Sequence, residues 1–271
     1  MTDPDPPGAL PDTARQTPAP TRATVVTYAV MLALAALAWV DVLRSMTTME
    51  DMAGMEMAMA PSLSEGVFFV VAWTVMMAAM MLPSASPMIA LYAATQRSAP
   101  RLAVRGVAVT YFTLVYVALW AATGIPIYLV TVTLGALGRL ALAYGVAAVL
   151  IIAGAFQFSP LKGVCLRNCR SPLGFMLGHW RPGWRGALSM GWAHALYCLG
   201  CCWGLMLVLV VAGAMGLVWV LLIAALVMAE KLWPWGDRIA WVSGAVLVTL
   251  GLAVAVRPEI AMILRAGPRS M

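Results

Sequence analysis

From about residue 25 to residue 256 the sequence is a succession of long apolar runs, broken only by short polar or basic segments. About 20 apolar residues span the roughly 30 Å hydrocarbon core of a bilayer as a helix. In lipid, every backbone polar group must be bonded within its own segment or a closed barrel. Such a chain has few folds open to it, and a bundle of membrane-crossing helices is expected. The runs cover about 25–43, 66–94, 104–134, 136–158, 186–212, 217–229 and 239–256. They predict an all-α, polytopic bundle of about seven helices. Six to eight are allowed, because only the turn Gly213-Ala214-Met215-Gly216 divides the fifth run from the sixth.

Residues 1–22 carry six prolines and three aspartates and read as a disordered tail. Residues 23–257 form one transmembrane domain, and 258–271 a short tail. Within the domain, 44–65 is expected as an outer loop and 159–185 as a basic cytoplasmic loop. The first run follows a long acidic tail and is closed by no clean small-x-small site, so it does not read as a cleavable signal.

Composition excludes the other classes. Of 271 residues, 63% are hydrophobic and 10% charged, against roughly half and about a quarter in soluble domains. The formal net charge of +6 does not point to nucleic acid, because the basic residues sit in clusters between apolar runs. Arg97, Arg101, Arg105, Lys162, Arg167, Arg170, Arg181 and Arg185 fall on one side if the N-terminus is cytoplasmic, as the positive-inside bias requires. With seven helices the C-terminal Arg257, Arg265 and Arg269 then lie outside, a mild conflict that an even count would remove. The expected location is a bacterial inner membrane. Five cysteines leave one over in any intramolecular pairing, and three of them lie in an apolar run, so a disulfide framework does not fit.

Twenty methionines need an explanation that membrane insertion does not give. Met46, Met49, Met52, Met55, Met57 and Met59 lie in the outer segment with Glu50, Asp51 and Glu56, and no basic residue falls between Arg44 and Arg97. Thioethers are soft donors suited to Cu(I), and the carboxylates raise the local concentration of any cation. The alternative is an interfacial segment whose methionines dip into lipid. In the second run, Met77, Met80, Met81, Ser84 and Met88 share one helical face. Pro83 removes a backbone donor beside them. That face is either a thioether-lined path or flexible packing around a kink.

The strongest motif is Met190-Gly-Trp-Ala-His194-Ala-Leu-Tyr-Cys198-Leu-Gly-Cys201-Cys202. Met190, His194, Cys198, Cys201 and Cys202 fall within about 120° of helix surface. They make a soft nitrogen and sulfur donor set, roughly halfway along the run and so expected near the bilayer centre. An intramembrane histidine is a functional hypothesis by default. Gly191, Gly200 and Gly204 keep the helix surface low for a neighbour. The alternative is that small cysteines pack between helices while His194 finds a hydrogen bond. Cys198-Leu-Gly-Cys201 also allows a thiol redox reading.

Two further features stand apart. In the basic loop, Cys165 and Cys169 lie near Arg167 and Arg170, whose charge would favour thiolates; a headgroup-binding loop with incidental cysteines is the alternative. Glu230 and Lys231 end the sixth run. They lie in the interface, or else Glu230 is buried on a cation path.

The runs 73–87, 162–172 and 191–206 with Glu230-Lys231 carry Met-Met-Leu-Pro, Cys-Leu-x-x-Cys-Arg-x-Pro and Tyr-Cys-Leu-Gly-Cys-Cys-Trp. In these motifs the chain resembles a bacterial family of predicted metal-binding integral membrane proteins, some of them labelled copper chaperones. The resemblance extends over about 65–255. It implies a polytopic metal-binding protein whose ligands match His194, Cys198, Cys201 and Cys202, with Cys165 and Cys169 matching the family's loop pair. The family often has Gly after the histidine, where this chain has Ala195.

The expected function is Cu(I) handling within or across the membrane. In that scheme the outer methionines collect the metal, Met77, Met80 and Met81 relay it, the 194–202 face binds it, and Cys165 with Cys169 exchange it inside. The expected partners are the bilayer, the metal ion and a copper-delivering or copper-receiving protein. One helical face cannot close a metal shell, so the second helix or a second copy of the chain supplies the rest, or the site stays open. No nucleotide-binding or aspartyl-phosphate motif is visible, which disfavours a pump and leaves a carrier, a channel or a membrane chaperone, with no enzymatic activity expected. The other readings are a membrane thiol-disulfide oxidoreductase using Cys198 and Cys201, and an assembly partner of a copper enzyme.

Overall fold

A computed structural model describes residues 22–52, 63–96, 102–181, 183–213 and 217–266. Among them are ten helices and no strand: α1 (Arg22–Met52), α2 (Leu63–Thr95), α3 (Leu102–Gly135), α4 (Arg139–Gln157), α5 (Pro160–Arg170), α6 (Pro172–His179), α7 (Gly183–Gly213), α8 (Leu217–Leu232), α9 (Gly236–Val256) and α10 (Glu259–Ala266). Six stretches are long and apolar enough to cross a membrane: Thr24–Arg44, Leu63–Thr95, Gly106–Gly135, Arg139–Gln157, Gly183–Ala212 and Gly236–Val256. Apolar side chains point outward from them, Leu37 being 67% and Val242 65% exposed. A surface of this kind suits lipid rather than water.

The sixth apolar run becomes α8, only 16 residues long. Both its ends are nevertheless pinned at the ends of its neighbours. Near its start, Trp219 Nε1 donates to the Leu264 carbonyl of α10 (3.0 Å). At its far end, Glu230 meets Gln157, the last residue of α4 (3.3 Å).

The segments between and after the spans are partly helical. The first span ends at Arg44, and the helix α1 continues beyond it to Met52, carrying Met46, Met49 and Met52 on its last turns; Met55, Met57 and Met59 lie outside the described residues. The basic loop is folded. Ser159 and Ser171 accept hydrogen bonds from the backbone N–H of Lys162 and Gly174, and a proline follows each serine, so α5 and α6 both start on a side-chain cap. The short tail after 257 contains α10, held against α7 by an Arg265 donation to the Val211 carbonyl (3.1 Å).

The kink chemistry of α2 is resolved locally. Pro87 has no N–H to offer the Pro83 carbonyl, and Ser86 Oγ donates to that carbonyl instead (2.8 Å). Close approach fixes the helix pairs. A Cβ at Gly191 of α7 would lie 2.7 Å from the Phe112 carbonyl oxygen of α3.

Candidate metal centre

α7 supplies the central face. Cys198, Cys201 and Cys202 are each 1% exposed and His194 is 2% exposed. Their place along the bundle follows from packing. α7 has 31 residues, about 46 Å of helix, well beyond the roughly 30 Å of hydrocarbon. Its midpoint is therefore not forced to the bilayer centre. Trp203 packs on Phe156 (ring centroids 4.7 Å) and Gly204 on Ala153, in the last turns of α4. The cysteines thus sit level with the C-terminal end of α4, toward one end of the bundle.

α5 closes the face, a role expected of the second helix or another copy. Cys165 packs into the space left by Gly200, where a Cβ would lie 2.6 Å from its Sγ. Cys169 Sγ lies 3.8 Å from Cys201 Sγ. The loop pair and the helix trio, read as successive stations, are one cluster of five thiols on two helices.

The loop thiols are not activated as their sequence neighbours suggest. Burial, with Cys201 adding to it, pushes the Cys165 thiol up. Hydrogen bonding to Cys198 and Cys201, followed by burial, raises Cys169 well above the usual thiol range. The arginines are elsewhere. Arg167 is exposed. Arg170 reaches Asp237 (3.1 Å) and the carbonyls of Trp233 and Pro234 (both 2.8 Å).

Three other helices complete the surroundings. Tyr116 of α3 lies with its hydroxyl 3.0 Å from Cys198 Sγ and donates to the Met81 carbonyl (3.4 Å). Lys231 of α8 donates to Cys198 Sγ (3.0 Å) and Ser84 Oγ (3.3 Å), and its ammonium lies 3.8 Å from the Met81 thioether. Met81 thus reaches the cluster from α2. Met77, Met80 and Met190 are packed in the core at 0%, 2% and 1% exposure, the place packing residues would also take.

His194 lies between Tyr116 (ring centroids 5.7 Å, stacked) and Phe175 (5.5 Å, edge-on). Its buried Nδ1 has no hydrogen-bond partner. The hydrogen bond that packing alone would require is missing from that atom.

The charged pair at the end of α8 is not interfacial. Glu230 is 2% and Lys231 6% exposed, and the two diverge. Glu230 pairs with Lys162 of α5 (2.6 Å), a buried ion pair. Ser243 donates to Glu230 at 3.2 Å and Gln157 donates at 3.3 Å. Lys231 faces the cysteines. The helical periodicity of α8 gave the signal: adjacent residues point about 100° apart, so the two need not share an environment. Nothing in the sequence around Tyr116 singles it out.

Among the described residues, no group of three or more His, Cys, Asp or Glu side chains is placed to hold a metal ion. The thiols are otherwise engaged. Cys201 and Cys202 each donate to the Cys198 carbonyl (3.1 and 2.9 Å), while Cys198 Sγ faces Lys231 and Tyr116. The donor chemistry is nevertheless that of a soft cation: thiols, a thioether and an imidazole nitrogen.

The fold and this centre define a polytopic helical membrane protein with a buried sulfur cluster at the contact of two helices. A family model described as PpoB2, copper chaperone, matches residues 70–254, a range that holds every residue of the cluster, and the chain belongs to that family. Neither the curated proteins nor the solved structures give a match.

Proposed function

We propose that the protein binds Cu(I) as cargo between α5 and α7 and hands it on within the bacterial inner membrane, with the N-terminus cytoplasmic. The observation that carries this reading is the convergence of five thiols from two helices beside a buried His194 Nδ1 with no partner. Soft sulfur donors select Cu(I) over harder ions. The cluster replaces the cytoplasmic half of a stepwise relay: Cys165 and Cys169 belong to the site that holds the metal. The site lies toward the Arg-rich end of the bundle, and in this reading exchange with a delivering or receiving protein takes place on that side. Met46, Met49, Met52 and Met55 are the collecting segment on the other. Nothing in this reading needs a chemical reaction, so the protein is a carrier or chaperone rather than an enzyme.

The test is elemental analysis of protein purified in detergent, under reducing conditions and without chelators. Copper should copurify with the wild type and be lost in a His194→Ala/Cys201→Ser double variant. Copper-free wild type, or unchanged copper in the double variant, would sink the reading.

One observation favours a second reading, the 3.8 Å approach of Cys169 Sγ to Cys201 Sγ. A thiol-disulfide exchange role would use this pair rather than Cys198 with Cys201, whose closest contact here is the Cys201 thiol on the Cys198 carbonyl. A trappable mixed disulfide with another protein would support it.

A further inference from the structure

We infer that Lys231 is the fixed counter-charge that matches this sulfur cluster to a monovalent soft cation; the inference rests on the reading of the cluster as a Cu(I) site. A buried ammonium is costly unless it is paired. The ion pairs Lys162–Glu230 and Arg170–Asp237 do not involve Lys231. What faces Lys231 is the Cys198 sulfur, the Ser84 hydroxyl and the Met81 thioether. Of these three, the sulfur of Cys198 is the one that can carry a balancing negative charge. The ammonium is therefore aimed at a prospective metal ligand, and a metal bound there enters a site already holding one positive charge.

Charge counting then separates classes of cation. Metal-bound cysteines are thiolates. A monovalent ion held by two of them has a net charge of minus one, which Lys231 cancels. A divalent ion held by the same two is neutral, and the ammonium is left uncancelled in a poorly solvated site. To reach balance the divalent ion must recruit another thiolate. That means removing a further proton from another thiol of the cluster. In a low-dielectric interior an unbalanced charge weighs heavily, so the lysine favours Cu(I) and Ag(I) over Zn(II) and Cd(II). Met81, which adds a donor without charge, leaves the count unchanged.

The experiment is a competition between Ag(I) and Cd(II) for purified, reduced, full-length protein, with bound metals read by elemental analysis. Lys231→Met removes the charge and keeps the length of the side chain. Ser84→Asp keeps Lys231 but gives it a carboxylate partner, and so covers the case in which Lys231→Met does not fold. Each variant should lower the ratio of bound Ag(I) to bound Cd(II) by about tenfold or more, chiefly through loss of Ag(I). A ratio unchanged in whichever variant folds, with the wild type binding Ag(I), overturns the role of Lys231 and leaves the Cu(I) reading standing. A wild type that binds neither ion overturns both.

Discussion

Cys169 and Cys201, 32 positions apart in sequence, face each other with their sulfurs 3.8 Å apart across the contact of α5 and α7. A disulfide is about 2.0 Å long, so a small shift joins them. In a variant keeping only these two cysteines, mild oxidation with diamide should link the helices. After proteolysis between α6 and α7, the two fragments should stay together on a non-reducing gel and separate on reduction. Fragments that separate without reductant would show that α5 does not dock as described.

Gly200 gives a second test of the same contact. In Gly200→Ala the new methyl meets Cys165 Sγ at 2.6 Å, and overpacking of this kind costs about 1–3 kcal/mol. The variant should unfold at lower temperature in detergent and retain less copper. Gly204→Ala is the control, because its Cβ would meet Ala153 at 3.5 Å, an ordinary contact. Equal behaviour of the two variants would contradict the packing of Cys165.

The Lys162–Glu230 pair is buried at both ends. Removing one partner of such a pair costs about 3–5 kcal/mol, whereas replacing both by apolar residues is often nearly neutral. Lys162→Met and Glu230→Met should each lower thermal stability sharply, and the double variant should recover much of the loss. Additive losses in the double variant would argue against a direct pairing.

Tyr116 bonds both Cys198 Sγ and the Met81 carbonyl. Tyr116→Phe keeps the ring stacked on His194 and removes only the hydroxyl. The Met81 carbonyl keeps its bond from Ser84 and Cys198 Sγ keeps its bond from Lys231, so the change should cost about 0.5–1.5 kcal/mol, the net worth of a hydrogen bond, with the overall helicity unchanged by circular dichroism. A variant as stable as wild type would show that the hydroxyl bonds contribute little.

Periodicity made part of this legible in the sequence. The apolar runs at 136–158 and 239–256 became α4 and α9 within a few residues, because lipid demands unbroken helix. The shared face of His194, Cys198, Cys201 and Cys202 followed from helical spacing. What escaped was tertiary. Which helix would cover that face depends on the low surface at Gly200 and on the capped helix that brings Cys165 against it. The arginines beside Cys169 suggested activated thiols, but Arg170 is claimed by the carbonyls ending α8. The placement of Lys231 beside Cys198 could not be read from α8 alone, since its partners come from α2 and α7.

The division of the cysteines between α5 and α7 would have a physical result for an ion bound there. Neither helix owns the cluster: α7 alone keeps three thiols, and α5 alone keeps two. Holding capacity is therefore a property of a seam. Opening that seam would part three thiols from two without altering any of them chemically, so the grip on an ion bound there would be set by the docking of one eleven-residue helix, itself fastened at its first turn by the Lys162–Glu230 pair.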